Sequence, residues 1–184
     1  VDASYNSSTR EYSVTLRGTD ETELNDTSSV LNTSNIASIT INGTTIDNTK
    51  WEIREATLVD SKTKTFKLIL KEFNTDGTVR INIKEGALVD ATGNASEPKE
   101  YSFVADVTPP QWQDATGVYN PDNQSYTITV TGTDNVKLNN LLSELTTSNI
   151  TLTVGGTPVT PTITETATTS TSETYTLTWA NHTG

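Results

Sequence analysis

The sequence predicts an all-β fold built as two tandem β-sandwiches, and three observations carry that reading. Thr supplies 38 of the 184 residues. A β-branched side chain suits a pleated, half-wet surface and loses rotamer freedom in a helix. Short segments alternate apolar and polar residues at the two-residue period of a strand with one buried face. The chain also repeats itself once, over a span of whole-domain length. A hydrophobic fraction of 32% fits this architecture, because a thin sandwich buries alternate residues and leaves its outer faces polar.

The repeat is read from ordered matches. Tyr5-Asn6 returns as Tyr119-Asn120, the segment from Tyr12 to Asp20 returns from Tyr126 to Asp134, and that from Leu31 to Ile36 returns from Leu145 to Ile150, all 114 residues later. The offset falls to 113 where Asn42-Gly43-Thr44 meets Gly155-Gly156-Thr157. It falls to 109 where Thr65 to Leu68 meets Thr174 to Leu177. Short deletions in turns account for the drift, since surface loops tolerate changes in length.

The elements follow in order. Tyr12, Val14 and Leu16 share one face of a strand, as do Tyr126, Ile128 and Val130. Ile39 and Ile41 begin a hairpin that turns at Asn42-Gly43, where Gly accepts positive φ at low cost, and returns through Thr45-Ile46. Trp51 and Ile53 open the next strand; Phe66, Leu68 and Leu70 mark another; Val79, Ile81 and Ile83 the next; Tyr101, Phe103 and Ala105 the last. Leu138, Leu141, Leu142 and Leu145 stand at helical spacing and predict a short amphipathic helix or 3₁₀ turn. Leu24 and Leu31 hold two of those positions in the first repeat. The joint is Asp106-Val107-Thr108-Pro109-Pro110, whose two prolines remove backbone donors and stiffen the chain. It divides the sequence into residues 1–106 and 107–184.

These motifs resemble the bacterial immunoglobulin-like (Big-type) repeats of Gram-positive surface proteins and adhesins. The carrying residues are the proline joint, the corner from Val130 to Asn135, and the run from Gly86 to Asn94. The resemblance implies immunoglobulin-like sandwiches, an extracellular or cell-surface location, and a stalk that spaces a binding tip from the cell wall or carries adhesion itself. Its partners would be neighbouring repeats of the same protein. Some such repeats hold Ca²⁺ at domain junctions.

The chemistry of catalysis is thin. The single His, His182, lies in a polar Asn-His-Thr stretch, and a triad needs a base beside a nucleophile. The 23 acidic residues are scattered through loops and outer faces rather than paired. The reading is therefore not an enzyme. A net charge of −11 opposes nucleic-acid binding. No run approaches the ~20 apolar residues of a membrane helix. The absence of Cys excludes disulfides and thiolate metal sites.

The candidate ligating set is oxygen-rich. Loops at one end of such a sandwich bring Asp20 and Glu21 near Asp90 and Asn94. The second repeat places Asp134 and Asn135 at that end, beside Asp106 of the joint. Such clusters can take Ca²⁺, which wants about 6–8 oxygens. The alternative is that Asp and Asn serve turns by bonding nearby backbone. Trp51 and Trp179 fall in strand patterns and read as core. Trp112, after the double proline, reads as packing at the joint. Eight Asn-x-Ser/Thr sequons occur, at a frequency that this Asn-, Ser- and Thr-rich composition explains. Lys137, the only Lys of the second repeat, is the one candidate there for a Lys–Asn crosslink.

Two functions follow as expectations: a structural spacer, or an adhesive module that recognises glycan or host protein through end loops or an exposed strand edge. The second repeat stops before counterparts of the strands at Val79 and Tyr101. The expected explanation is a window cut from a longer array; the alternative is strand exchange with another copy.

Overall fold

The computed structural model describes residues 1–139 and 144–180. The chain is all-β, with one 3₁₀ turn, Asn48–Lys50, among the described residues. It forms two compact units, Val1–Val107 and Thr108–Gly184.

The first unit is a sandwich of two four-stranded antiparallel sheets. One has β1 (Asp2–Asn6), β2 (Glu11–Thr19), β5 (Trp51–Asp60) and β6 (Thr63–Leu70) in the order β1-β2-β6-β5. The other has β3 (Ile36–Ile41), β4 (Thr44–Thr45), β7 (Gly77–Ile83) and β8 (Lys99–Ala105) in the order β4-β3-β7-β8. Alternation decides what is buried: Tyr12, Val14 and Leu16 of β2 face Ile39, Val79 and Ile81 across the core, with Phe66, Leu68 and Leu70 beside them. Fully burying each such side chain contributes about 1.5–3 kcal/mol. Asn42 takes φ 49° and Gly43 φ 82° in the β3–β4 turn, the paired positive values that a two-residue hairpin needs.

The second unit has β9 (Gln111–Trp112), β10 (Thr116–Asn120), β11 (Ser125–Thr133), β14 (Thr162–Thr168) and β15 (Ser172–Ala180) in one sheet ordered β10-β11-β15-β14, with β9 also paired to β11. A hairpin of β12 (Leu152–Val154) and β13 (Thr157–Val159) stands apart. Leu145, Tyr175 and Leu177 centre its core, with Ile128, Val130, Ile150 and Ile163 packed against them.

The internal repeat is written into the strand registers. Tyr5 pairs with Tyr12 and Tyr119 with Tyr126. Leu16 pairs with Phe66 and Val130 with Tyr175. Gly18 pairs with Lys64 and Gly132 with Glu173. That last rung inverts a buried charge. Lys64 Nζ donates to the carbonyls of Asp26 and Ser29 at 2.7 Å each and meets the Asp26 carboxylate at 2.8 Å. Glu173 instead accepts the Tyr175 hydroxyl at 2.9 Å.

The expected helix is only partly open to inspection. Leu138 and Leu145 are buried, while Leu141 and Leu142 lie outside the described residues. In the first unit the matching segment is no helix. Leu24 makes an isolated bridge to Asp90, and a turn closes from Asn25 to Ser29. Asn25 and Asp26 favour this because their side chains bond local backbone, as Asn25 does to Ser28 N–H at 3.1 Å.

Candidate functional site

Two ends of the first unit carry its polar detail. At the Thr19 end, the loop after β2 and the loop before β8 are stitched together. Asn25 N–H donates to the Val89 carbonyl at 2.8 Å and Ala91 N–H to the Glu23 carbonyl at 2.7 Å. The fully buried Ser29 hydroxyl donates to the Val89 carbonyl and accepts from the Val89 N–H, both at 3.0 Å. This brings Asp20, Asp90 and Asn94 to one shallow cleft, while Glu21, grouped with them in the sequence reading, is not among the residues that line it.

The carboxylates there are committed to their own loops. Asp90 Oδ1 accepts from the N–H groups of Thr92 and Asn94 at 2.9 and 2.7 Å, and Oδ2 accepts from Asn94 Nδ2 at 2.7 Å. The Thr92 hydroxyl lies 2.9 Å from Oδ1 and 3.0 Å from Oδ2. The Asn94 amide, its backbone N–H and the Thr92 groups together hold the Asp90 carboxyl at about 2, against the opposing pull of desolvation. Asp20 Oδ1 accepts from both Thr22 N–H and Thr22 Oγ1 at 2.7 Å. In the second unit Asp134 Oδ1 accepts from the N–H groups of Val136 and Lys137 at 2.7 and 2.8 Å, and Asn135 lies within that bend.

Equivalent backbone bonds fix both corners: Asp20 N–H to the Lys62 carbonyl and Asp134 N–H to the Thr171 carbonyl, each 2.9 Å. Donors aimed at carboxylate oxygens make turn acceptors. A Ca²⁺ cage instead needs oxygens converging on a common point. No group of three or more His, Cys, Asp or Glu able to hold a metal occurs among the described residues.

At the opposite end, Asp106 is held through its backbone. The Tyr12 hydroxyl donates to the Asp106 carbonyl at 2.7 Å and accepts from its N–H at 2.6 Å. Val107 N–H adds a bond to Asp76 Oδ1 at 2.6 Å. Burial pushes the Tyr12 phenol above its ordinary pKa, and the bond to the Asp106 backbone partly offsets that. Asp106 thus ends the first unit, on the side away from Asp20 and Asp90. Sequence reasoning singled out Asp106 for its carboxylate and missed the Tyr12 clamp. The one available signal was the recurrence of Tyr at the inward start of the strand in both repeats.

The second unit presents its inner face differently. Trp112 is 59% exposed, and its ring lies over Gly132, 3.4 Å from where a Cβ would stand. It belongs to β9 of its own unit. Trp51 is buried, and Trp179 is part-buried and stacked on Tyr126 with ring centroids 5.2 Å apart. An apolar groove of about 420 Å³ opens beside Trp112, Val130, Leu145 and Ile150. In the first unit β7 pairs with β3, whereas β12 pairs with β13 alone among the described residues.

No family model matches the chain, no curated protein is similar to it, and no solved structure matches it. No described helix is long and apolar enough to cross a membrane. His182 lies outside the described residues.

Proposed function

We propose that this chain is part of a load-bearing spacer: immunoglobulin-like repeats in the stalk of an extracellular or cell-surface protein, each passing tension to the next. The observation that carries the reading is the path of the chain through the first unit. β1 starts opposite Thr15 and runs to Glu11, so it travels toward the Tyr12 end. β8 runs the same way, from Lys99 opposite Ile83 to Ala105 opposite Gly77, and finishes at the Tyr12–Asp106 clamp. The first and last strands therefore run parallel in opposite sheets. Tension applied through the two ends of the unit loads them along their axes, so the bonds of a strand must shear together rather than open one by one. The second unit repeats the feature at its start: β9 meets β11 at Thr133, and β10 then descends to Ser125.

Single-molecule stretching tests this. The chain has no Cys, so paired substitutions Val1→Cys and Val107→Cys give unique handles on the first unit. The expected result is one cooperative rupture at a force well above that needed when the same unit is pulled across its strands through handles at Ser8 and Val107, which both lie at the Tyr12 end. Equal forces in both geometries would sink the spacer reading.

A further inference from the structure

The internal repeat gives the second unit's inner face a template, and part of that template has no counterpart among the described residues. β12 stands where β3 stands: Val154 pairs with Thr157 as Ile41 pairs with Thr44. In the first unit the other edge of β3 is taken by β7, which sets Ile81 opposite Ile39 and Val79 opposite Ile41. In the second unit that edge of β12 is open among the described residues. Pro158 lies opposite Thr153 and has no N–H to give. Thr153 therefore turns its own N–H and carbonyl toward the open edge, the edge that β7 occupies on β3.

The apolar side chains left uncovered are those that β7 and β8 cover in the first unit. Tyr12, Val14 and Leu16 are 5, 0 and 1% exposed, with Val79, Ile81 and Ala105 in the same core. Phe103 packs on Tyr12 with ring centroids 5.5 Å apart. Their counterparts Tyr126, Ile128 and Val130 are only half-buried, and Tyr119 is 44% exposed. Tyr175 and Leu177 of the neighbouring β15 are buried, so the gap is confined to the β10–β11 side. There the groove opens beside Trp112, Val130 and Ile150. On the same face Trp179 Nε1 is shut off from solvent with no acceptor among the described residues, a deficit that costs about 1–3 kcal/mol.

We propose that the second unit is a receptor for an extended strand of a separate polypeptide, added antiparallel to β12 with aliphatic residues at alternate positions facing Ile128 and Val130. A small apolar ligand would fill the groove and leave the β12 edge unpaired. A strand supplies both main-chain bonds for Thr153 and side chains for the inner face. A second copy is a poor donor. Its matching segment is β7, whose Val79 and Ile81 are fully buried in the first unit, so lending them would open one sandwich to close another. This site is independent of the spacer reading.

The probe is a synthetic peptide with the sequence of residues 74–84, which spans β7 and carries Asp76, Arg80 and Lys84 for solubility. It is added to the whole chain, and amide hydrogen exchange is read residue by residue. With the peptide at ten times its dissociation constant, exchange at Thr153 is expected to slow about tenfold, while the amides of β3 keep their rates. A peptide carrying Val79→Glu and Ile81→Glu is expected to leave Thr153 unchanged. Because those substitutions lie in the peptide, the fold of the protein is untouched. Sedimentation of the chain alone is expected to show a monomer. The proposal is overturned if the unsubstituted peptide leaves Thr153 exchange unaltered, if the substituted peptide protects it equally, or if the protection falls on β3 instead. It is also overturned if the chain alone is a dimer with Thr153 already protected, which would make a second copy the occupant.

Discussion

The Tyr12 hydroxyl both donates to and accepts from the backbone of Asp106, 94 residues away, at 2.7 and 2.6 Å. One side chain thereby ties the first inward position of β2 to the first residue of the proline joint. Its ring is held by Tyr5, Phe73 and Phe103 at centroid distances of 5.1, 5.0 and 5.5 Å.

Removing only the hydroxyl isolates this tie. Tyr12→Phe keeps the ring contacts and strands a backbone N–H and a carbonyl, so it should cost the first unit about 1–3 kcal/mol. Chemical denaturation followed on that unit measures it. The handles at Val1 and Val107 should also rupture at lower force. A stability loss without a change in force would confine the clamp to folding.

The same phenol gives an alkaline signature. Its pKa is raised in the folded state, first by burial, so folding favours the neutral form. The stability it contributes is complete below the ordinary phenol value of about 10 and is lost as pH rises through the folded value. Tyr12→Phe should therefore flatten the alkaline limb of the stability profile.

Asp90 supplies the acid counterpart. Its carboxyl falls from 3.8 to about 2 on folding. The stability tied to its ionisation is present above 3.8 and is lost as pH drops toward 2. Asp90→Ala should speed amide exchange at Thr92 and Asn94 and flatten the acid limb. Because the bonds around Asp90 are internal to its loop, Ca²⁺ and a chelator should leave the melting temperature equal. A Ca²⁺-dependent rise abolished by Asp90→Ala would instead place a cation at this loop.

Paired glycines should respond unequally. A Cβ at Gly18 would lie 2.2 Å from Leu88 Cδ1, whereas at Gly132 the nearest atom is the Trp112 ring at 3.4 Å. Gly18→Ala should cost about 1–3 kcal/mol through overpacking. Gly132→Ala should cost clearly less. Equal losses in parallel melts would argue that the two positions are packed alike.

Much of this architecture was legible because period and repeat reinforce one another. Two-residue alternation marked Val14, Leu68 and Ile81 as inward, and the ordered matches gave Tyr12 and Tyr126 the same register. Asp20, Asp90 and Asn94 were placed at one end by sandwich topology. What stayed hidden depends on partners far apart in sequence. The Lys64 ammonium is buried because it caps two loop carbonyls, which no local pattern announces. The helical spacing around Leu138 competed with turn-forming Asn and Asp in the matching stretch of the first unit, and there the turns won. Asp106 drew attention for its carboxylate, while the long-range tie from the Tyr12 hydroxyl to its backbone left no local pattern to read.

The inverted charge at Lys64 and Glu173 bears on how neighbours avoid each other during synthesis. Adjacent repeats with one register invite a newly made strand to pair with the wrong sheet, a characteristic failure of repeat proteins. If β15 took the place of β6, Glu173 would face the Asp26 and Ser29 carbonyls, and the Asp26 carboxylate, that Lys64 now satisfies. If β6 took the place of β15, Lys64 would be buried away from the Asp26 and Ser29 carbonyls and the Asp26 carboxylate that now satisfy it. Both swaps bury a charge against its own kind or without its partner, which is costly. A single rung thus acts as a password between two otherwise interchangeable halves.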